Sequence, residues 1–506
     1  MRILGRILVV LLIVLFIAGG GVLWLLKDPN RFKPQLEALA QEATGYELSL
    51  DGDLSWQLWP PVVLKGETIR FSDESTDYEL RAFGVRANLL PLLRGGELEV
   101  TQLRVDDLLM VDREFGDRTR VDSLRIEQYQ AGVAGPLVAA ITLESDDAPP
   151  VKLNVEGPFT YFPDEDRLTL APMQFTYDGI DGSCDVAASQ LSREPMLVSK
   201  PTADDLLPLD TVRAMDWQVA CTVPEFASGD QRLRNIKLES RNTAARMANK
   251  VVLPDALGGS VTTTVDIDAR QRPPLWNIKS DATEIQSQAL MDLLAPSLRW
   301  VAPLLAGGQF KLQGNTIAAL AESADGQVSF ESNAGQIDIG ALKDTVLGLA
   351  RLAGKGEQVE RWARDLQYTK LTGDWKVQGK QQDIRVAIDN LALAAKGSID
   401  ALSGAMDLRG TVTVEEDATL DILKVSDELY GLPIPLRCSG SLEEPSCGLD
   451  TEAAQGALAD YAAGRARGEV SERINEALEE KVPEEYRDAA KGLLKGLFGN
   501  QEDREE

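Results

Sequence analysis

The sequence predicts a mainly β protein: one N-terminal transmembrane helix, then a long antiparallel sheet with short capping helices and a helical C-terminal tail. Three observations carry that prediction. A run of about twenty residues, Ile7 to Leu26, has no charged side chain. Behind it, apolar and polar residues alternate with period two in one segment after another. Helical spacing is confined to a few short stretches.

The uncharged run comes first. At ~1.5 Å rise per residue it reaches ~30 Å, the thickness of a bilayer's hydrocarbon core. Arg2 and Arg6 in the leader, residues 1–6, favour a cytoplasmic N-terminus, although Lys27, Arg31 and Lys33 blur the charge asymmetry. A cleaved secretory signal is the competing reading. Against it, the apolar run resumes at Val22-Leu23-Trp24-Leu25-Leu26 after Ala18-Gly19-Gly20-Gly21. It also exceeds the usual signal core of ~7–15 residues. Either way the body is exported, and the anchor reading assigns residues 7–26 to the membrane.

The body opens with a helical stretch, Lys33 to Thr44, which places Leu36, Leu39, Ala40 and Ala43 on one face and stops at Gly45. The period then becomes two. Tyr46, Leu48 and Leu50 alternate with polar residues, Asp51-Gly52 supplies a hairpin-type turn, and Leu54, Trp56 and Leu58 alternate on the return. The pattern recurs at Val151, Leu153 and Val155; at Met173, Phe175 and Tyr177; at Val261, Val265 and Ile267; and at Ile384, Val386 and Ile388. In the clearest case Met406, Leu408, Val412 and Val414 oppose Asp407, Arg409, Thr411 and Thr413. Such alternation describes antiparallel sheet with one apolar and one polar face.

Short amphipathic helices are expected over Thr283 to Leu294, Ala341 to Ala353 and Leu420 to Tyr430. Linker-like breaks fall at Ala148-Pro149-Pro150, Ser199 to Pro208 and Arg272-Pro273-Pro274. From residue 451 onward Ala, Glu and Arg dominate. A final helix, Glu484 to Phe498, reads as docking on the sheet or as a membrane-contacting tail.

The 80 acidic residues against 52 basic ones give a formal charge of −28. Such a body repels nucleic-acid phosphates and gains little from anionic headgroups, so no nucleic-acid partner is expected. The four cysteines form no C-x-x-C pair. Export favours two disulfides, Cys438–Cys447 closing a short hairpin and Cys184–Cys221 a longer loop, over four buried thiols in a cytosolic protein.

The chain holds no histidine. Serine–histidine triads, cysteine–histidine pairs and histidine-ligated zinc are therefore excluded, and no G-x-S-x-G elbow is present. The glycines from Gly348 to Gly356 miss the phosphate-loop spacing, and Gly356 stands where Ser or Thr would hold magnesium. They read as a glycine-marked helix end. Carboxylate catalysis needs two acids held together in a cleft, and no local feature nominates a pair. The expectation is a non-enzyme with no catalytic residue, cofactor or metal.

Local motifs supply a resemblance. Asp28-Pro29-Asn30-x-Phe32-Lys33, Thr44-Gly45-x-x-Leu48, Gly52-Asp53-Leu54-Ser55-Trp56 and Pro60 resemble the opening of AsmA-family proteins of Gram-negative bacteria. Leu366-x-Tyr368-x-x-Leu371-x-Gly373 and Leu432-Pro433-Ile434-Pro435-Leu436-x-Cys438-x-Gly440-x-Leu442-x-x-Pro445 look like that family's C-terminal region. The segment Gly335 to Gly340 follows the family pattern only loosely.

This resemblance implies an AsmA/chorein-like region over 27–110, a middle β-rich region over 111–308, an AsmA-like β region over 309–450 and a helical acidic tail over 451–506. It implies a single-pass inner-membrane protein with a periplasmic body. The implied fold is an elongated, curled antiparallel β-groove like that of TamB and the chorein-type lipid-transfer proteins. The implied activity is phospholipid transfer in outer-membrane biogenesis, with acyl chains on an apolar face. Candidate lining residues are Ile384, Val386, Ile388, Met406, Leu408, Val412 and Val414. The alternative is a scaffold that affects outer-membrane protein insertion through envelope-protein partners. Periodicity alone also permits an ordinary packed sandwich.

Overall fold

The computed structural model describes residues 30, 33–35, 37–38, 47–57, 62–72, 76–88, 99–113, 116–145, 148–190, 204–228, 231–294, 298–352, 356–416, 422–442 and 444–454. The Ile7 to Leu26 run and the tail beyond 454 lie outside them. Among the described residues no helix is long and apolar enough to cross a membrane.

Among the described residues the protein is mainly β, with a long antiparallel sheet, few and short helices, and no closure into a barrel. It divides into two compact units. Among the described residues the first takes those up to 294, then 300–333 and 372–381; the second takes 298–299, 334–371 and 382–454.

The first unit is a meander. From Val62–Ser72 to Asp325–Ser332 each strand pairs antiparallel with the next, the two-residue strand Trp300–Val301 excepted. The period-two sequence makes this possible. On Thr76–Asn88, Tyr78 and Leu80 are buried while Asp77, Glu79 and Arg81 face water, so each strand offers one apolar side to a shared face.

The expected hairpin at Asp51-Gly52 does not form. Glu47–Leu50 and Leu54–Gln57 both pair with Val62–Ser72, so the two segments run on along one line. Asp51 and Gly52 instead make a bulge, their backbone N–H groups both donating to Thr68 O, with Thr68 at φ 47°. Glycine is required at 52 because a Cβ there would overlap the Glu67 carbonyl. Asn30 clamps the bulge's far side: its side chain accepts from Leu54 N (2.9 Å) and donates to Leu54 O (3.1 Å).

Bulges recur along the meander. The register slips at 86/87, 121/123, 156/159, 253/256 and 282/285. Asp107, Asn235 and Glu284 carry positive φ inside strands. Each bulge adds a residue to one strand and increases local twist.

The second unit packs its sheet. Leu391–Ile399, Ala405–Val414, Ile434–Ser441 and Pro445–Leu449 pair consecutively, and the helix Gly340–Leu352 lies against the last two. Val346, Ala350, Val359, Val412 and Ile434 are at most 1% exposed. Asn390 and Trp362 fasten the loop over this core. Asn390 Nδ2 donates to Leu423 O (2.9 Å) and Trp362 Nε1 to Lys424 O (2.8 Å).

Several sequence-based boundaries change. The strand Leu275–Gln286 takes the first residues assigned to a helix at 283, and the helix is Ser287–Leu294. The helix expected over 341–353 is Gly340–Leu352. Of the helix expected over 420–430, only the 3-10 turn Asp427–Leu429 appears among the described residues. Ala148-Pro149-Pro150 is no linker but the start of the strand Ala148–Phe162.

Candidate functional site

One face of the meander changes character along its length. At the N-terminal end it is a filled core in which Leu50, Ile69, Leu80, Val85, Val105 and Leu108 are at most 4% exposed. Farther on, the same face stays apolar but is only half-buried. A row directly opposed from strand to strand runs Val219, Ser240, Asn249, Val265, Ile278 and Phe310, every member half-buried.

No charged residue occupies this register across the strand segments 217–223, 236–242, 247–253, 261–267, 276–282, 306–312 and 326–330. The opposite face carries the charge, for example Glu239 against Lys250, and Lys279 one strand past Thr264. Most of the few polar side chains on the apolar face pair with one another, whereas Asn242 Oδ1 is buried without a partner among the described residues. Trp217 Nε1 donates to Ser240 Oγ (3.0 Å), Ser240 Oγ to Asn249 Oδ1 (2.7 Å), and Asn249 Nδ2 to Val265 O (3.0 Å). Thr263 and Ser280 share a hydroxyl hydrogen bond of 2.9 Å. These paired groups need no ligand to complete them.

Burial is deepest at the two rims. At one rim Trp217, Ala245, Ile267 and Ala269 are at most 5% exposed, beneath the short helix Leu209–Ala214. That helix is held by Asn242 Nδ2, which donates to Val212 O and Met215 O (both 2.7 Å), and by Arg213 Nε, which donates to Ala269 O (2.9 Å). Burial, with Arg272 nearby, holds the Arg213 guanidinium pKa below its ordinary value. At the other rim Ala256, Ile285 and Leu304 are at most 3% exposed. There Ser287 Oγ, at the start of Ser287–Leu294, donates to Trp300 O and accepts from Ala302 N (both 2.8 Å). In cross-section this stretch has two closed rims and a half-open apolar floor.

Both expected disulfides are present, each between directly opposed residues whose Cα atoms are 4.0 Å apart. Cys184–Cys221 joins adjacent strands of the half-open face. Cys438–Cys447 closes the last hairpin of the second unit.

The seven residues nominated as lining lie elsewhere, in the second unit. There Val412 (0%), Val414, Leu408 and Ile388 are buried, and Ile384, Val386 and Met406 are half-buried. Sequence alternation reveals the strand Val261 to Ile267 of the first unit's half-open floor but does not single out the floor itself. Among the described residues no group of His, Cys, Asp or Glu has metal-site geometry. An open depression of ≈440 Å³ lies at the edge formed by Glu47–Leu50, Val62–Ser72 and Thr76–Asn88. Arg70 in its wall pairs with Asp51 at 2.8 Å.

Comparison with known proteins bears on the N-terminal strands of this sheet. The sequence profile of the AsmA family matches residues 1–111. Protein AsmA of Escherichia coli (strain K12) is 36% identical over 96 residues, which is 18% of this chain and 15% of that protein. Over this segment the chain is similar to the AsmA family. The match contains the Asn30 clamp, the Asp51-Gly52 bulge and the filled end of the apolar face. No solved structure matches the chain.

Proposed function

We propose that this chain is a non-enzymatic envelope-biogenesis protein, fastened to the inner membrane by Ile7 to Leu26, whose half-open apolar face binds or conducts phospholipid acyl chains. The observation that carries the proposal is an uncharged, half-buried floor crossing successive strands of a strongly acidic protein. A soluble domain normally buries such a surface or breaks it with charge. An acyl chain laid on it gains ~0.8 kcal/mol per buried methylene. Ser240, Asn249, Thr263 and Ser280 on the floor are already hydrogen-bonded, so they exact little desolvation penalty under a lipid tail. The AsmA-family match over residues 1–111 and the two disulfides support an exported, envelope setting.

The test begins with the detergent-extracted full chain. Mass spectrometry should find phospholipid co-purifying with it, and the delipidated protein should take up pyrene-labelled phosphatidylethanolamine from vesicles. Absence of both removes the proposal and favours a scaffold acting through protein contacts.

A further inference from the structure

Four phenylalanine rings lie flat over a glycine on the neighbouring strand. Phe83 covers Gly66 within the filled core, whereas Phe175 over Gly182, Phe310 over Gly326 and Phe330 over Gly373 belong to the half-open stretch. In each pair the ring fills the space that a side chain would need. A Cβ on Gly182 would lie 2.5 Å from Phe175 Cε1, one on Gly326 2.7 Å from Phe310 Cγ, and one on Gly373 2.6 Å from Phe330 Cε1, with another ring atom nearer in every case. Backbone conformation does not explain these glycines, since none of the three has positive φ. Glycine inside a strand also weakens it relative to alanine. What glycine provides here is room for the neighbouring ring to lie down.

The consequence differs between the two settings. Over Gly66 the Phe83 ring is 3% exposed and closed in by other core side chains, so the pair serves packing. Over Gly182 and Gly373 the rings of Phe175 and Phe330 are half-buried, Phe330 also meeting the Trp300 ring with centroids 6.1 Å apart. A methyl group beneath such a ring must restore ordinary carbon contact at ~3.5–4.0 Å, which lifts the ring by roughly an ångström.

We propose that Gly182, Gly326 and Gly373 set the clearance of the apolar floor. By letting Phe175, Phe310 and Phe330 lie flat, they keep the path low enough for an extended acyl chain. They are the positions that decide whether a chain fits. This rests on the acyl-chain reading above.

The experiment compares the full-length wild type with G182A, G373A, F175A and the doubles F175A/G182A and F330A/G373A. Gly326 is left alone because a Cβ there would lie 2.5 Å from the Gln309 carbonyl oxygen, whereas one on Gly182 would lie 3.1 Å from that of Thr222. Uptake of pyrene-labelled phosphatidylethanolamine from vesicles is read beside thermal melts. G182A and G373A should melt like wild type and lose uptake severalfold, F175A should take up at least as much lipid as wild type, and both doubles should recover. Wild-type uptake in G182A and G373A overturns the inference, as do doubles as poor as the single alanine variants or a loss of uptake in F175A. If the wild type itself takes up no lipid, the acyl-chain reading fails, and this inference with it.

Discussion

Ile278 sits mid-floor, opposed by Val265 on one side and Phe310 on the other. Replacing it with Asp separates folding from lipid contact. Full burial of such a side chain is worth ~1.5–3 kcal/mol. Ile278 is half-buried, so the variant forfeits about 1–1.5 kcal/mol of folding energy. The new carboxylate keeps its water in the empty protein. Under an acyl chain it loses that water, or the chain must stand off. Forfeiting two methylene contacts at ~0.8 kcal/mol each weakens binding by about 1.6 kcal/mol, which corresponds to roughly fifteenfold. The assay is equilibrium uptake of pyrene-labelled phosphatidylethanolamine, with circular dichroism and a melt as folding controls. A folded I278D chain that takes up lipid like wild type refutes the reasoning. The companion variant is V412D, on the nominated strand of the second unit, where Val412 is 0% exposed. A carboxylate there has no water or cation to receive it, a burden of several kcal/mol, so that unit should fail to fold.

Two further outcomes follow from the covalent and ionic contacts. Removing Cys184–Cys221, with a sequence separation of 37, should cost about 4 kcal/mol in the chain-entropy treatment, against about 2.5 for Cys438–Cys447 with a separation of 9. Double serine variants melted separately check the order, and its reversal would show that loop closure is not the dominant effect. Asp268 is held down to a pKa of about 2, chiefly by hydrogen bonds from Arg270. A carboxylate depressed in the folded state stabilises above its unfolded pKa of ~3.9 and loses that contribution as pH falls towards 2. Because the pair is partly exposed, D268N should cost no more than about 1 kcal/mol at pH 7. Carboxyl NMR titration with a midpoint near 4 would contradict the assignment.

What the sequence could reveal follows from what period two encodes. It tells which residues share a face, so Leu408, Val412 and Val414 come out together and are all buried. It does not tell what lies over that face. Val265 and Val412 sit in equally clear alternation, yet one is half-buried and the other fully enclosed. That difference is set by what packs over each face, a tertiary fact that the alternation does not encode. The disulfides were legible because an exported chain with an even cysteine count limits the choices. Turn chemistry misled at Asp51-Gly52, where residues suited to a hairpin serve a bulge against Thr68. The phenylalanine–glycine pairs were invisible without register, because the partners can stand more than forty residues apart, as Phe330 and Gly373 do.

The misplaced helix start at Thr283 has the most instructive cause. Glu284 adopts φ 57° and the register slips between Ala282 and Ile285, so both of those residues reach the apolar face three positions apart. Three-residue spacing imitates a helix. The bulge is also what carries Ile285, 3% exposed, into the rim beside Leu304; a regular strand would aim it outward. The rim is therefore obtained by holding a side-chain-bearing residue in a left-handed conformation that disfavours it by ~1–2 kcal/mol. Glu284→Gly removes that strain, offset in part by the greater freedom of glycine in the unfolded chain. It should leave stability unchanged or raise it by up to ~1 kcal/mol. Glu284→Val, β-branched at the same φ, should destabilise by more than the ordinary left-handed penalty. Denaturant titration of the two variants decides the matter. If glycine destabilises and valine is neutral, the strand passes Glu284 without a bulge, and the rim of the floor is not built in this way.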